Sequence, residues 1–142
     1  MTTRSLAVVA VGLVASVVDG VTKWFVQDAS TAAPDAFFGI ALHRNPGILF
    51  DIPVPIVILA PLSVVIIVAL AVMGMRTQHD LARAGAAIAI FGAIGNLVDR
   101  IINGFTTDYL IVAQMSAINV ADILILVGIG LFVAYTRANP SA

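Results

Sequence analysis

The 142-residue sequence contains no cysteine and no glutamate, and it carries few charges of either sign. Without cysteine the chain has no disulfides, no thiol nucleophile and no thiolate metal ligands. Only 11% of its residues are charged and 61% are hydrophobic, whereas a soluble domain is about a quarter charged. The net charge of −1 argues against nucleic-acid binding. Together with a mean hydropathy of +1.08, this composition indicates an integral membrane protein.

The apolar residues fall into four runs, each long enough for a helix that crosses a bilayer. We therefore expect a single all-α membrane domain over 1–142, with spans at about 5–26, 53–75, 84–102 and 118–136. The first run could pass for a signal peptide, but it continues into polar residues without a small-residue cleavage site, so we expect it to be retained. The third run is rich in glycine and alanine, which favours close helix packing in a bilayer.

Basic residues predict how these spans are oriented. One side of the predicted bundle carries four arginines next to the spans: Arg4, Arg76, Arg83 and Arg137. Because basic residues concentrate on the cytoplasmic side, both termini are expected there, and the loops at 27–52 and 103–117 are expected outside. The first outer loop has a strand-favouring stretch at 37–43, so the predicted fold includes a small extracytoplasmic β-containing segment.

The polar residues of the spans gather at the predicted outer side. They come from the end of span one, the end of span three, the second outer loop and the start of span four: Asp19, Lys23, Asn96, Asp99, Arg100, Asp108, Asn119 and Asp122. Spans that alternate in direction bring these segments to the same depth. Since ionisable groups in a membrane are costly and usually mark a function, their convergence predicts one site.

Two of the acids in this set differ from the others in their surroundings. Asp19 and Asp99 each have a basic residue within one helical turn, whereas Asp108 and Asp122 have no local cation. Two carboxylates brought together in an apolar site tend to share one proton. Aspartic proteases use such a pair to activate water, so the chemistry expected here is peptide hydrolysis by two carboxylates.

Other catalytic arrangements fit the sequence less well. A serine/lysine dyad would have to use Lys23, which Asp19 should keep charged. A serine/histidine/aspartate triad would depend on His43, and no serine stands in an elbow motif. A metal site would need more clustered histidine and carboxylate, so neither a metal nor a cofactor is expected. A small transporter or proton-relay subunit is an alternative, although transport favours polar groups strung through the bilayer depth.

Four sequence blocks resemble those of the lipoprotein signal peptidases, the signal peptidase II family. In chain order they are D-G-V-T-K at 19–23, N-P-G-I-L-F at 45–50, G-N-L-V-D-R at 95–100 with T-D-Y at 107–109, and N-V-A-D at 119–122. The blocks span essentially the whole chain. The resemblance implies an intramembrane aspartyl peptidase with four helices. Such an enzyme sits in the bacterial cytoplasmic (inner) membrane and cuts prolipoproteins just before the diacylglyceryl-modified cysteine.

The same resemblance assigns roles to individual residues. It implies that Asp108 and Asp122 are the catalytic pair. Positions that line the substrate site in the family match Asn45, Gly47, Asn96, Arg100 and Asn119, and supporting positions match Asp19, Lys23 and Asp99. The expected partners are diacylglyceryl-modified prolipoproteins and membrane lipids, and the expected state is a monomer.

The sequence departs from the family pattern at a few positions. Ile48 and Leu49 stand where a small pair is usual, and Thr106 and Thr107 stand where valines are common. The phenylalanine usual before Asn119 is isoleucine, and the connection between the two catalytic aspartates is short. A catalytically silent relative that only binds lipoproteins is a further alternative, but such a relative should have lost one carboxylate, and both are present.

Overall fold

A computed structural model describes residues 1–27, 38–48, 52–112 and 116–137 of the chain. These residues form four long helices: α1 (Thr3–Val26), α2 (Ile56–Arg76), α3 (Asp80–Asn103) and α4 (Val120–Arg137). Five short strands lie between them: β1 (Phe38–Asn45), β2 (Gly47–Ile48), β3 (Ile52–Pro53), β4 (Thr106–Val112) and β5 (Ser116–Ile118). All four helices are long and apolar enough to cross a membrane, as predicted.

Helix α3 lies at the centre of the bundle and packs against the other three helices. Its small residues make this possible, because a Cβ added at Gly85 would lie 2.7 Å from the carbonyl oxygen of Gly128 on α4. A Cβ at Gly128 would in turn lie 2.5 Å from the backbone nitrogen of Ala89. The backbones of α3 and α4 therefore touch, as the glycine- and alanine-rich third span predicted.

Contacts at the two ends of the bundle give the helix directions. The backbone nitrogen of Thr2 donates to Asp80 Oδ2 over 2.6 Å, so α1 and α3 begin at the same end. At the other end, Lys23 of α1 donates to Asn96 of α3 over 2.7 Å. We call this second end the sheet end, because the strands lie there: β1 to β3 connect α1 to α2, and β4 and β5 connect α3 to α4.

Strands β1, β4 and β5 form an antiparallel sheet in the order β1-β4-β5, and β2 pairs with β3. In the β1–β4 pair Asn45 lies opposite Thr106, and His43 lies opposite Asp108. Strand β1 matches the stretch predicted at 37–43, although residue 37 lies outside the described residues. The strands at 106–112 and 116–118 were not predicted, because they follow from pairing with the distant β1 and not from local propensity.

A glycine at each of two turns holds the sheet against the bundle. Gly104 ends α3 in the left-handed conformation, with φ of 81°, and its nitrogen donates to the carbonyl of Arg100. Gly47 follows the Asn45–Pro46 turn, and a Cβ there would overlap the carbonyl oxygen of Ile52. The chain therefore passes directly from α3 into β4 and turns sharply between β1 and β2.

Candidate active site

Asp108 is the third residue of β4 and lies between two asparagine side chains. Asn45 Nδ2 donates to its Oδ2 over 3.0 Å, and Asn119 Nδ2 donates to its Oδ1 over 2.6 Å. The carboxyl group is buried, with 1% of the residue exposed, and Asn119 is fully buried. The ladder between β1 and β4 brings Asn45 to this position, and Asn119, the residue just before α4, supplies the second donor.

Asp122 is held in the first turn of α4 by a reciprocal cap. The backbone nitrogen of Asp122 donates to Asn119 Oδ1 over 2.9 Å, and the backbone nitrogen of Asn119 donates back to Asp122 Oδ2 over 3.2 Å. This is the capping-box arrangement, with the two residues three apart at a helix start. Asn96 of α3 donates from Nδ2 to the other oxygen, Asp122 Oδ1, over 2.8 Å.

One residue therefore connects the two carboxylates. Asn119 donates its side-chain amide to Asp108 and its backbone amide to Asp122. Neither carboxylate forms an ion pair with any residue that the structure describes. The hydrogen bonds to both come from neutral amides, which orient a carboxylate without fixing its charge as a contacting lysine or arginine would.

Burial raises the pKa of Asp108 from its ordinary value to about 6. The hydrogen bonds from Asn45 and Asn119 and the charge of Lys23 lower this pKa, and the negative charge of Asp122 raises it. The hydrogen bonds therefore offset only part of the desolvation. A carboxyl group with this pKa is partly protonated near neutral pH, as the sharing of one proton between two acids requires.

Arg100 borders the site from the last turn of α3. Its Nη2 donates to the carbonyl oxygen of Gly47 over 3.2 Å, which connects α3 to the turn after β1. Asn45 Oδ1 accepts from the nitrogen of Gly47 over 2.9 Å, so the same turn also positions the side chain that contacts Asp108. The Nε of Arg100 is buried and has no hydrogen-bond partner among the described residues.

Behind Asn96 lies a buried cluster of charges. Lys23 Nζ donates to Asn96 Oδ1 over 2.7 Å, and it lies 2.9 Å from Asp19 Oδ2 and 3.7 Å from Asp99 Oδ2. Asp19 Oδ2 has no directed hydrogen bond among the described residues, so its contact with Lys23 is mainly one of charge. Because Lys23 engages the amide oxygen, Asn96 must present its NH₂ group to Asp122.

Strand β4 adds contacts that sequence reasoning missed. The backbone nitrogen and the hydroxyl of Thr107 donate to the two oxygens of Asp99, over 2.6 and 3.1 Å. The Tyr109 hydroxyl donates to Asp19 Oδ1 over 2.8 Å, and burial raises the pKa of this tyrosine. The signals for these residues in the sequence were their place in the T-D-Y block and their alternation around Asp108, since a strand sends its odd and even residues to opposite faces.

The structure thus places all ten candidate residues at the sheet end. Asp108, Asp122 and the three asparagines are joined by hydrogen bonds, Arg100 and Gly47 lie beside them, and the remaining three form the charge cluster: Asp19, Lys23 and Asp99. Arg44, another basic residue of the predicted outer side, instead lies over the ring of Phe105, 5.5 Å from its centroid.

Solved structures share this fold. One, described as a bacterial membrane enzyme, superposes with a TM-score of 0.79 at 20% identity, covering 99% of this chain and 92% of the other. A second with the same description gives a TM-score of 0.74 at 19% identity, covering 95% and 93%. These likenesses establish the architecture of four helices with a small sheet.

Sequence comparison extends the likeness beyond the fold. The lipoprotein signal peptidase of Symbiobacterium thermophilum is 31% identical over 139 residues, covering 87% of this chain and 89% of the relative. That of Rhodopseudomonas palustris is 34% identical over 148 residues, covering 91% and 90%. Residues 11–137 match the family model described as signal peptidase (SPase) II. This multi-pass bacterial membrane protein therefore belongs to the signal peptidase II family of aspartyl peptidases.

Proposed function

We propose that Asp108 and Asp122 are the catalytic pair with which this member of the signal peptidase II family removes the signal peptide from diacylglyceryl-modified prolipoproteins. The observation that carries this assignment is the bridge made by Asn119, which donates to both carboxylates. Asp99 and Asp19 are already engaged, because both lie beside Lys23 and accept hydrogen bonds from Thr107 and Tyr109. Among the acids that the structure describes at the sheet end, Asp108 and Asp122 are therefore the two that remain available for proton transfer.

In the proposed reaction the two carboxyl groups share one proton. The ionised member takes a proton from water, and the water oxygen forms a bond to the scissile carbonyl carbon. The protonated member donates its proton to the carbonyl oxygen. The C–N bond then breaks as the leaving nitrogen takes the proton that the first carboxyl group removed from water, and the second carboxylate recovers a proton from a hydroxyl of the tetrahedral intermediate. The raised pKa of Asp108 favours this residue as the acid, with Asp122 as the base.

We propose that the surrounding polar groups bind the substrate backbone and orient the pair. Arg100 keeps an unpaired Nε beside the site, so its guanidinium can add a contact to a carbonyl without releasing Gly47. Asn45 contacts Asp108 directly, and Asn96 and Asn119 hold Asp122. Lys23 supports Asn96 from behind, with Asp19 and Asp99 as its counter-ions.

The test is processing of a diacylglyceryl-modified prolipoprotein by purified variants, followed as a gel shift on loss of the signal peptide. Asp108→Asn and Asp122→Asn should each abolish cleavage, because asparagine keeps the size but cannot exchange the shared proton. The double variant should be little worse than either single one, since the pair acts as a unit. Asp80→Asn at the opposite end of the bundle is the matched control and should cleave normally. Robust cleavage by either site variant would reject the pair.

We further propose that the sheet end lies on the outer side of the cytoplasmic membrane, with both termini in the cytoplasm. The flanking arginines Arg4, Arg76, Arg83 and Arg137 support this orientation. The chain lacks cysteine, so single cysteines can be introduced at the exposed positions Ile40 and Gln78. An impermeant thiol reagent applied to intact cells should label position 40 and not position 78. The reverse pattern would overturn the orientation.

We also propose that the active unit is a single chain. All ten candidate residues are contributed by one copy, and the contacts among them need no second one. Light scattering of the detergent-solubilised, active enzyme should give the mass of one protein chain. Activity confined to a larger species would contradict the proposal.

A further inference from the structure

The hydroxyl group of Thr106 is buried, and it forms no hydrogen bond with any residue that the structure describes. Only 2% of Thr106 is exposed, and its Oγ1 has no hydrogen-bond partner among those residues. A buried polar group without a partner is destabilising, and valine has nearly the same shape without this cost. The stability of the fold therefore does not explain why this position carries a hydroxyl group.

The position of Thr106 on β4 relates it to the proposed catalytic pair. Residues two apart on a strand lie on the same face, so Thr106 shares a face with Asp108. Asn45 lies opposite Thr106 in the ladder and reaches diagonally to Asp108, which identifies this face as that of the site. Thr107 lies on the other face, where its hydroxyl is satisfied by Asp99.

A second unsatisfied donor borders the same site. Arg100 Nε is buried and unpaired within the described residues, while Nη2 of the same side chain holds the carbonyl of Gly47. Gly47 is bonded in turn to Asn45, the ladder partner of Thr106. Asn45 is thus connected by strand register to one buried donor and through Gly47 to another, and neither donor has an acceptor among the described residues. Such an arrangement fits a ligand that brings carbonyl oxygens, as an extended peptide does.

We propose that Thr106 is a substrate-binding residue whose hydroxyl donates a hydrogen bond to a backbone carbonyl of the prolipoprotein next to the scissile bond. The inference rests on the proposed function of Asp108. Residues two apart on a strand are separated by about 6.6 Å, and peptide groups of an extended chain repeat about every 3.3 Å. With the scissile peptide at Asp108, Thr106 therefore reaches a peptide group one or two residues away.

The test compares Thr106→Val with Thr106→Ser in the prolipoprotein assay with purified enzyme. Valine removes the hydroxyl and keeps the shape, so kcat/KM should fall roughly three- to tenfold, as for loss of one neutral hydrogen bond. The loss should appear mainly as a higher KM, since the contact forms when substrate binds. Serine restores the hydroxyl and should restore KM.

Thermal unfolding of the same variants separates binding from folding. Thr106→Val should leave the Tm unchanged or raise it, because an unsatisfied polar atom is removed. The matched control Thr107→Val, on the opposite face, should lower the Tm, because it takes a donor from the buried Asp99. If Thr106→Val does not stay folded, Thr106→Ser and Thr106→Ala are compared instead. KM should then rise in the alanine variant and not in the serine variant.

Wild-type kcat/KM and KM in Thr106→Val would overturn the inference. An increase in KM that serine does not restore would overturn it as well. Asp108→Asn is assayed alongside, so that the two proposals fail separately. Cleavage by Asp108→Asn would reject the catalytic pair, whereas loss of cleavage there with normal kinetics in Thr106→Val would reject only the role of Thr106.

Discussion

At the scale of single residues, the site is a network in which each asparagine side chain both accepts and donates a hydrogen bond. Asn119 is the clearest case: its Oδ1 accepts from Asp122 and its Nδ2 donates to Asp108. Asn96 likewise accepts from Lys23 and donates to Asp122. An aspartate in place of either asparagine would lack the donor and would add a charge beside a carboxylate. The geometry therefore requires amides at these positions.

Asn45 should control the pH dependence of cleavage. A pair that shares one proton loses activity as the pH rises through the higher apparent pKa, which for Asp108 lies at about 6. The hydrogen bond from Asn45 lowers this pKa, so Asn45→Ala should move the alkaline limb of kcat/KM to higher pH. Asn103→Ala, which removes a donor to Asp99 only, should leave the limb in place. The measurement is the pH–rate profile of both variants. An unshifted alkaline limb in Asn45→Ala would contradict the proposed effect of Asn45 on the pKa of Asp108.

Removal of Lys23 should damage the fold as well as the site. Lys23→Met leaves Asp19 and Asp99 buried without their cation, a change that typically costs about 3–5 kcal/mol. It also frees the amide oxygen of Asn96 and so loosens the contact with Asp122. We expect a lower Tm together with reduced cleavage. The exposed Arg76→Met should retain both, and a Lys23→Met enzyme as stable as the wild type would contradict the proposed support.

At the scale of elements, α3 and α4 position the pair because their backbones lie in contact. Gly92 abuts the carbonyl oxygen of Ala121, one residue before Asp122, and Gly85 abuts the backbone near Phe132. The same approach brings Asn96 within hydrogen-bond distance of the first turn of α4. The geometry of the site therefore requires the close packing of α3 and α4.

Two glycines of α4 provide a matched test of this packing. A Cβ at Gly128 would lie 2.5 Å from backbone atoms of α3, whereas a Cβ at Gly130 would meet nothing within 4 Å. Gly128→Ala should therefore separate the helices and destabilise the fold by about 1–3 kcal/mol. Gly130→Ala should be neutral or slightly stabilising, since alanine favours a helix. Thermal unfolding in detergent measures both, and equal Tm values would argue against backbone contact.

At the scale of the whole molecule, burial of Asp108 links stability to pH. Its folded pKa of about 6 lies above the ordinary 3.8, so the folded state binds this proton more tightly than the unfolded chain. The resulting stability is present below about pH 4 and is lost as the pH rises through about 6. A rise in the pKa from 3.8 to about 6 corresponds to about 3 kcal/mol of stability.

Asp108→Asn should remove this pH dependence, because asparagine does not titrate. The Tm of the variant relative to the wild type should therefore rise between pH 4 and pH 7. Comparison of the two proteins cancels the titration of carboxylates common to both. A Tm difference that stays constant over this range would show that burial does not raise the pKa of Asp108.

The sequence alone was sufficient for the features that depend on local composition. Predominantly apolar stretches of about 20 residues favour spanning helices, because a helix satisfies all its backbone hydrogen bonds within one segment, as a bilayer requires. The alternating direction of the spans also predicted that the polar residues lie at one depth. The four sequence blocks indicated the signal peptidase II family, to which residues 11–137 match. Asp108 and Asp122 stood out as acids without a local cation, and among the described residues neither has an ion-pair partner.

The contacts between distant segments depend on the tertiary structure. Strand β4 forms by pairing with β1 across a long separation in sequence, with Asn45 opposite Thr106, and no local pattern encodes that register. The register determines that Asn45 contacts Asp108 and that Thr106 faces the site while Thr107 reaches Asp99. Composition and periodicity describe the surroundings of each segment separately. Partners, burial and the pKa of Asp108 arise from contacts between distant segments, and these exist only in the folded chain.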